Sequence, residues 1–552
     1  MQISRRTALL GLAASVPIAS AVMAAPAEAA TTAATTATSG ATTPADPGVL
    51  AVQKWLNKTF GHVAGWVQVT EDGQTGAGTA TGLAQATQSL LGITPVVPAV
   101  GPATKRGLEQ HGDVGHEVGP DATTWRRLAQ AGLVCKGFST VTTTGDWDAA
   151  TVSAVQELRT DLGVALGVPT LSPHLFGALL TTDPIRLSST GSPTIRAVQQ
   201  YLNRTYAEVD GGAYGSTSGV IDPSTASAAT RAIQIASGSS SVDGVWGPGT
   251  ASGLRAASAS VVGVGASGPW VQLVTALLVL NGERVPFDDV FSAADAEVVR
   301  AFQQFQAFPA AEQTGTCDFG TWAALAASCG DADRATTGAD MATKLDASRA
   351  TALAAADVRV VGRYLTNSQA SGARDKALTT AELRAIGTAG IGLWPIFEEG
   401  GDEASWFTFA QGVIDAHRAQ DAAADLGIPK QTTLYFAVDL DASTAQIDDA
   451  VLPYFRGVAT GLRDRGSIYK AGVYGSRATC AAVSHAGLAH FSFVGGLSTG
   501  WTGNQLQPLP SNWSFNQIQA RTIGTGGAAT ETDAVVVSGR DPGVPAAHLA
   551  AC

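Results

Sequence analysis

Residues 49–330 repeat themselves, and no other feature of this 552-residue chain constrains the fold as strongly. Val52-Gln53-Lys54-Trp55-Leu56-Asn57 returns 146 positions on as Val198-Gln199-Gln200-Tyr201-Leu202-Asn203. Gly101-Pro102-Ala103-Thr104 returns at the same spacing as Gly247-Pro248-Gly249-Thr250, and Phe176 and Leu179 return as Trp322 and Leu325. Trp125 and Leu128 align with Trp270 and Leu273 one residue short of it. So many landmarks in step define a tandem duplication, with halves at 49–183 and 194–330. Each half is double in turn. An apolar helical pattern containing Gln is followed by an Asp/Gly turn and a Thr-led helix, as in Asp243-Gly244-Val245-Trp246-Gly247-Pro248-Gly249-Thr250 and Thr314-Gly315-Thr316-Cys317-Asp318-Phe319-Gly320-Thr321. Glycine supplies the positive φ of the turn, and Asp or Thr caps the next helix. This spacing predicts four all-α units near 49–110, 121–180, 194–257 and 268–328.

The turn-and-helix pattern resembles the peptidoglycan-binding-like domain, a three-helix fold that secreted cell-wall enzymes append to a catalytic domain. That resemblance implies four envelope-binding units, with Gln303 and Trp246 as candidates to touch glycan or stem peptide. The competing reading makes the glutamines partners of buried backbone and the aromatics core. His111 and His116-Glu117 are too loosely spaced for a metal site and read as loop residues.

Beyond residue 334 the pattern changes to short apolar runs alternating with helical stretches. Strands are predicted at 337–341, 358–365, 391–399, 434–441 and 470–476, with weaker runs at 491–497, 514–520 and 533–538. Helical crossovers at 405–426 and 446–463 suit parallel strands. The expected fold class is therefore multidomain, with all-α repeats followed by a (β/α)8 TIM-type barrel over 334–545. A doubly wound open sheet is the alternative, but no Gly-rich phosphate fingerprint follows any strand, and no cofactor is read from the chain.

The run Thr433-Leu434-Tyr435-Phe436-Ala437-Val438-Asp439-Leu440-Asp441 reads as a buried strand entering two acids. Alternation would put Asp439 and Asp441 on one side, roughly 6.6 Å apart. Asp340, Arg363, Glu398, Tyr474, Gln517 and Asp533 fall at or near other strand ends, which in such barrels face one mouth. Five carboxylates converging there cost stability through mutual repulsion and desolvation, so a site explains them better than folding does.

Gly338-Ala339-Asp340, Val361-Gly362-Arg363-Tyr364, Leu393-Trp394-Pro395-Ile396-Phe397-Glu398, Tyr435-Phe436-Ala437-Val438-Asp439-Leu440-Asp441 and Gly472-Val473-Tyr474-Gly475 resemble an actinobacterial glycoside-hydrolase-like TIM-barrel family near the family-25 lysozymes. The likeness places Asp340, Asp439, Asp441 and Asp533 where lysozyme-type barrels keep their acids. Those barrels carry glutamate where this chain has Asp441. Glycoside hydrolysis needs a proton donor and a carboxylate that stays ionised. The expected catalytic set has Asp441 or Glu398 as acid and Asp439 as the charged partner, tuned by Asp340 and Asp533. Arg363, Tyr364, Trp394, Tyr474 and Gln517 would bind the sugar.

The formal charge of −12 argues against nucleic acid and against charge-driven binding to an anionic membrane. Ser4-Arg5-Arg6 before an Ala-rich apolar run, closed by Ala27-Glu28-Ala29, resembles a twin-arginine export signal over 1–29, followed by a Thr/Ala-rich linker over 30–48. No other run approaches the ~20 apolar residues of a membrane span. Five cysteines make neither a disulfide framework nor a metal cluster, with Cys317 and Cys329 the candidate pair in an oxidising compartment. These readings together describe a secreted, wall-associated, monomeric glycoside hydrolase acting on peptidoglycan or a related envelope polysaccharide. The alternative is an envelope protein whose barrel binds a glycan without cutting it.

Overall fold

The computed structural model describes residues 44–369 and 372–552. The export signal and most of the linker lie outside these residues. The linker ends earlier than expected, because a helix begins at Pro47, with Asp46 accepting from the Gly48 and Val49 amides as its N-cap.

The duplicated region is all-α, three helices to each unit. The first unit comprises Pro47–Phe60, Ala77–Leu90 and Pro102–His111, and the fourth Pro269–Leu280, Ala293–Phe305 and Phe319–Ala326. The recurring glutamine explains why the motif repeats. Gln303 is fully buried and its Nε2 donates to the Thr316 carbonyl and to Thr321 Oγ1, both at 2.9 Å, while its Oε1 accepts from the Gly315 amide at 2.9 Å. Gln53, Gln130, Gln199 and Gln234 make the same three-way clamp on Gly73 and Thr79, Gly145 and Thr151, Gly219 and Thr225, and Gly244 and Thr250. One amide thus pays the hydrogen-bonding debt of a tight turn and orients the helix after it. Gln303 is accordingly occupied inside its own unit, as the competing reading held. The units pair, so that one core runs from Val49 to Ile185 and takes in Ala207 and Tyr214 of the second half, whose own core runs from Val198 to Leu325.

The C-terminal region is a closed eight-stranded barrel in sequential order: β1 Gly338–Asp340, β2 Val360–Tyr364, β3 Gly392–Phe397, β4 Thr433–Ala437, β5 Lys470–Gly475, β6 Phe491–Val494, β7 Trp513–Ile523 and β8 Thr530–Val537. Every expected strand is present. The topology departs from a (β/α)8 barrel at its end. Helices follow β1 to β5, but β6 leads to β7 through a loop with one 3-10 turn, Thr502–Asn504, and β8 returns from β7 as a hairpin. β8 is therefore antiparallel to both β7 and β1. The barrel also extends past residue 545, since Val544 pairs with Leu393 and Leu549 is fully buried in the barrel's outer core.

Strand alternation builds two cores. Ala339, Val361, Leu393, Leu434, Phe436 and Val473 face the surrounding helices. Tyr364, Trp394, Ile396, Tyr435, Tyr474, Phe493, Phe515 and Val535 fill the interior. The barrel is joined to the second helical half. Leu506, from the β6–β7 loop, sits in that half's core, Trp246 packs against both, and Trp513 Nε1 donates to the Phe305 carbonyl at 3.1 Å. The Cys317–Cys329 pairing is overturned. Cys317 belongs to the helical core and Cys329 to the barrel's, and all five thiols are free.

Candidate functional site

β1, β3 and β4 run from apolar residues into acids at or just past their C-terminal ends, and alternation decides which strand residues turn inward. Ile396 and Tyr435 are interior, and Glu398, one residue past β3, continues the inward row of that strand. Asp340 follows the outward Ala339, and Asp533 precedes the interior Val535 by two. Because β8 is antiparallel, the start of that strand lies at the same mouth as the ends of the others.

Asp340 and Asp533 are direct partners across the β1–β8 ladder, an arrangement of like charges that would repel if left alone. Gln517 sits between them. Its Nε2 donates to both oxygens of Asp340 at 2.9 Å and reaches Asp533 Oδ2 at 3.4 Å. The Tyr474 hydroxyl donates to Gln517 Oε1 at 3.0 Å, which fixes the amide with its NH2 toward the acids. The hydroxyl needs room. A Cβ on Gly495 would lie 3.0 Å from the Tyr474 oxygen. Asp340 is almost fully buried, and a carboxyl group there needs these hydrogen bonds to offset its lost hydration.

Glu398 carries a second motif, which the sequence reading missed. Lys376 Nζ lies 2.5 Å from Glu398 Oε2, and the ammonium also stands 4.1 Å above the Tyr364 ring. Lys376 lies between β2 and the following helix, where no periodicity marks it. Its backbone amide donates to Asn367 Oδ1 at 2.7 Å, pinning the segment. Asp439 lies two residues past the end of β4, and its amide donates to the Gly401 carbonyl at 2.8 Å, joining it to the loop after β3.

Three expected site residues are placed elsewhere. β4 ends at Ala437, so the alternation invoked for Asp441 does not reach it. Asp441 is exposed and holds the β6–β7 loop, accepting from the Thr502 amide at 2.9 Å, the Thr502 hydroxyl at 3.0 Å and the Gly503 amide at 3.2 Å. Arg363 points outward. Fully buried, it pairs with Glu382 at 2.7 Å and donates to the Met341 and Lys376 carbonyls. Trp394 is an interior plug, stacked on Phe515 with centroids 4.2 Å apart, and a Cβ on Gly362 would strike its ring at 2.6 Å. Tyr364 is also interior, in contact with the mouth through Lys376. Among the described residues, no group of three His, Cys, Asp or Glu is arranged to hold a metal.

The barrel closes on an antiparallel strand, with the Asp340/Asp533 pair and its glutamine at the mouth. Residues 351–537 match the Rv2525c-like, glycoside hydrolase-like domain, and residues 188–326 match the FadG/YbfG, PGDB-like domain, which spans both units of the second helical half. The chain is 35% identical over 511 residues to the uncharacterized protein FadG of Bacillus subtilis (strain 168), covering 90% of this chain and 86% of that one. It is 36% identical over 510 residues to the uncharacterized protein YbfG of the same organism, covering 90% and 68%. It belongs to the FadG/YbfG family. Among solved structures, the Mycobacterium tuberculosis Tat-secreted protein Rv2525c aligns with 37% of this chain and 95% of its own, at 21% identity and a TM-score of 0.31. An uncharacterized B. stearothermophilus protein aligns with 36% and 94%, at 20% identity and a TM-score of 0.28. No helix among the described residues is long and apolar enough to cross a membrane.

Proposed function

We propose that the protein is an exported glycoside hydrolase of the cell envelope, cutting peptidoglycan or a related glycan at the barrel mouth. The observation that carries this reading is the Tyr474–Gln517–Asp340/Asp533 chain, a hydrogen-bonded carboxylate pair at the mouth of a glycoside hydrolase-like domain. In this reading Asp439, half-buried, is the proton donor to the glycosidic oxygen. Asp340 and Asp533 stay charged and stabilise the oxocarbenium-like transition state. Glu398, paired with Lys376, adds to that field. Tyr474 and Gln517 orient the acids and contact the sugar. The helical units hold the enzyme on its insoluble substrate and raise its local concentration. Export rests on Ser4-Arg5-Arg6 and the apolar run after it.

A second reading, a barrel that binds glycan without cutting it, is favoured by one observation: the acid candidates Asp441 and Glu398 are both engaged, one by a loop and one by a lysine. Full chain lacking its export signal, incubated with insoluble peptidoglycan, separates the two. Pelleting with release of reducing ends supports hydrolysis. Pelleting without release supports binding alone, and neither sinks both.

A further inference from the structure

The opposite end of the barrel has the reverse electrostatic character. A cleft of about 390 Å³ opens where β4, β5 and β6 begin and where the chain leaves β8. Its lining includes Lys430, Lys470 and Arg540, with Asp541 as its one carboxylate. That carboxylate is already occupied, because Oδ2 accepts from the buried Tyr435 hydroxyl at 2.6 Å and Oδ1 from the Gly543 amide at 3.0 Å. Arg540 is fixed by stacking over Phe305 and Trp513, 5.0 and 5.2 Å from their centroids, and by donating to the Trp513 carbonyl at 3.2 Å. Neither lysine forms an ion pair with any carboxylate among the described residues.

The walls of the cleft are held in place. Gln431 and Ser467, on the loops leading into β4 and β5, adopt left-handed backbone with φ of 68° and 54°, and the Gln431 amide donates to the Ile468 carbonyl at 2.6 Å. Strain of this kind persists only where surrounding structure over-determines it, and it concentrates at ligand sites. Arg540 is accounted for by its packing, but Lys430 and Lys470 line the same recess without an ion pair among the described residues. Overall composition does not explain them, since the chain carries a net charge of −12.

We propose that this floor cleft, bounded by Lys430, Lys470 and Arg540, binds an oxyanion ligand, a phosphate or carboxylate group on a small molecule or polymer. Its volume falls in the range of ligand sites, roughly 300–1,000 Å³. Two ammonium groups beside a guanidinium held by aromatic stacking suit an oxyanion of either kind. The site is independent of the mouth and of any glycan chemistry there.

The test is calorimetric titration of the full chain at low salt with pyrophosphate and, separately, with oligogalacturonate. Saturable binding to one site is expected with at least one of them, and the responding probe assigns phosphate or carboxylate. The Lys430→Ala/Lys470→Ala double variant should weaken it tenfold or more, Lys430→Arg/Lys470→Arg should retain it, and Asp439→Asn should bind as wild type. Thermal melting of the alanine variant at the wild-type temperature shows that the fold is intact. No saturable binding of either probe, or equal binding by the folded alanine variant, overturns the proposal.

Discussion

Gln303 and Gln517 are the same residue in two regions, and both are buried with every amide function engaged. Gln303 bonds within its own helical unit, to a threonine 18 positions away. Gln517 bonds to an acid 177 positions away, on a strand reached only by closing the barrel. The helical region uses polar side chains to finish local turns, so nothing is left over for a ligand at those positions. The mouth collects polar groups from distant strands and sets like charges face to face, which costs stability and is retained where charge does chemistry. In this molecule the reach of a buried glutamine separates scaffold from site.

The hardest way to break that contrast is at the mouth. Asp439→Asn should lower release of reducing ends from peptidoglycan by about 10²–10⁴-fold, the usual worth of a positioned proton donor, while pelleting is kept. Turnover within a factor of two of wild type rejects the donor role and leaves the binding-only reading. The helical counterpart has an effect of another kind. Gln303→Leu takes the side-chain partner from the Gly315 amide and the Thr316 carbonyl and should cost roughly 1–3 kcal/mol, read by urea unfolding. Pelleting per folded molecule should not change. A stable variant that no longer pellets would make Gln303 a ligand contact after all.

The same contrast explains what the sequence disclosed. The helical units were legible because the clamp is local and its parts recur at fixed spacing, as Gln53, Gly73 and Thr79 recur in Gln199, Gly219 and Thr225. The strands were legible because each is a short apolar run, down to the weak Phe491–Val494. The direction of β8 was not, since period-two alternation reads the same in a parallel or an antiparallel strand. Arg363 and Trp394 were misplaced by the same ambiguity. Being near a strand end does not tell which face a residue takes or how deep it lies, and Arg363 turns out toward Glu382 while Trp394 lies inside the plug. Lys376 was missed because a lone lysine in a charged loop carries no pattern, and its meaning comes only from Glu398 across the mouth.

Tyr474→Phe sharpens the comparison within the mouth. It removes the donor that holds the Gln517 amide in one orientation, so the carboxylate pair loses a fixed partner. A single net hydrogen bond of about 1 kcal/mol implies a fall in turnover of about fivefold, with pelleting unchanged. A fall as large as that of Asp439→Asn would move the hydroxyl from positioning into the chemistry.

Asp441→Asn should have the smallest effect, and it decides between two roles for one residue. As a proton donor it would lose orders of magnitude in turnover on amidation. As a loop holder it exchanges one accepting oxygen for an NH2 that opposes either the Thr502 or the Gly503 amide, and the other oxygen still accepts. The loop is also anchored from behind by Leu506 in the helical core, so it should loosen rather than detach. We therefore expect KM for soluble glycan fragments to rise about threefold and kcat to stay within twofold. A kcat loss beyond about 10²-fold would return Asp441 to the catalytic set, and would mean that its bonds to the loop are exchanged for substrate during turnover.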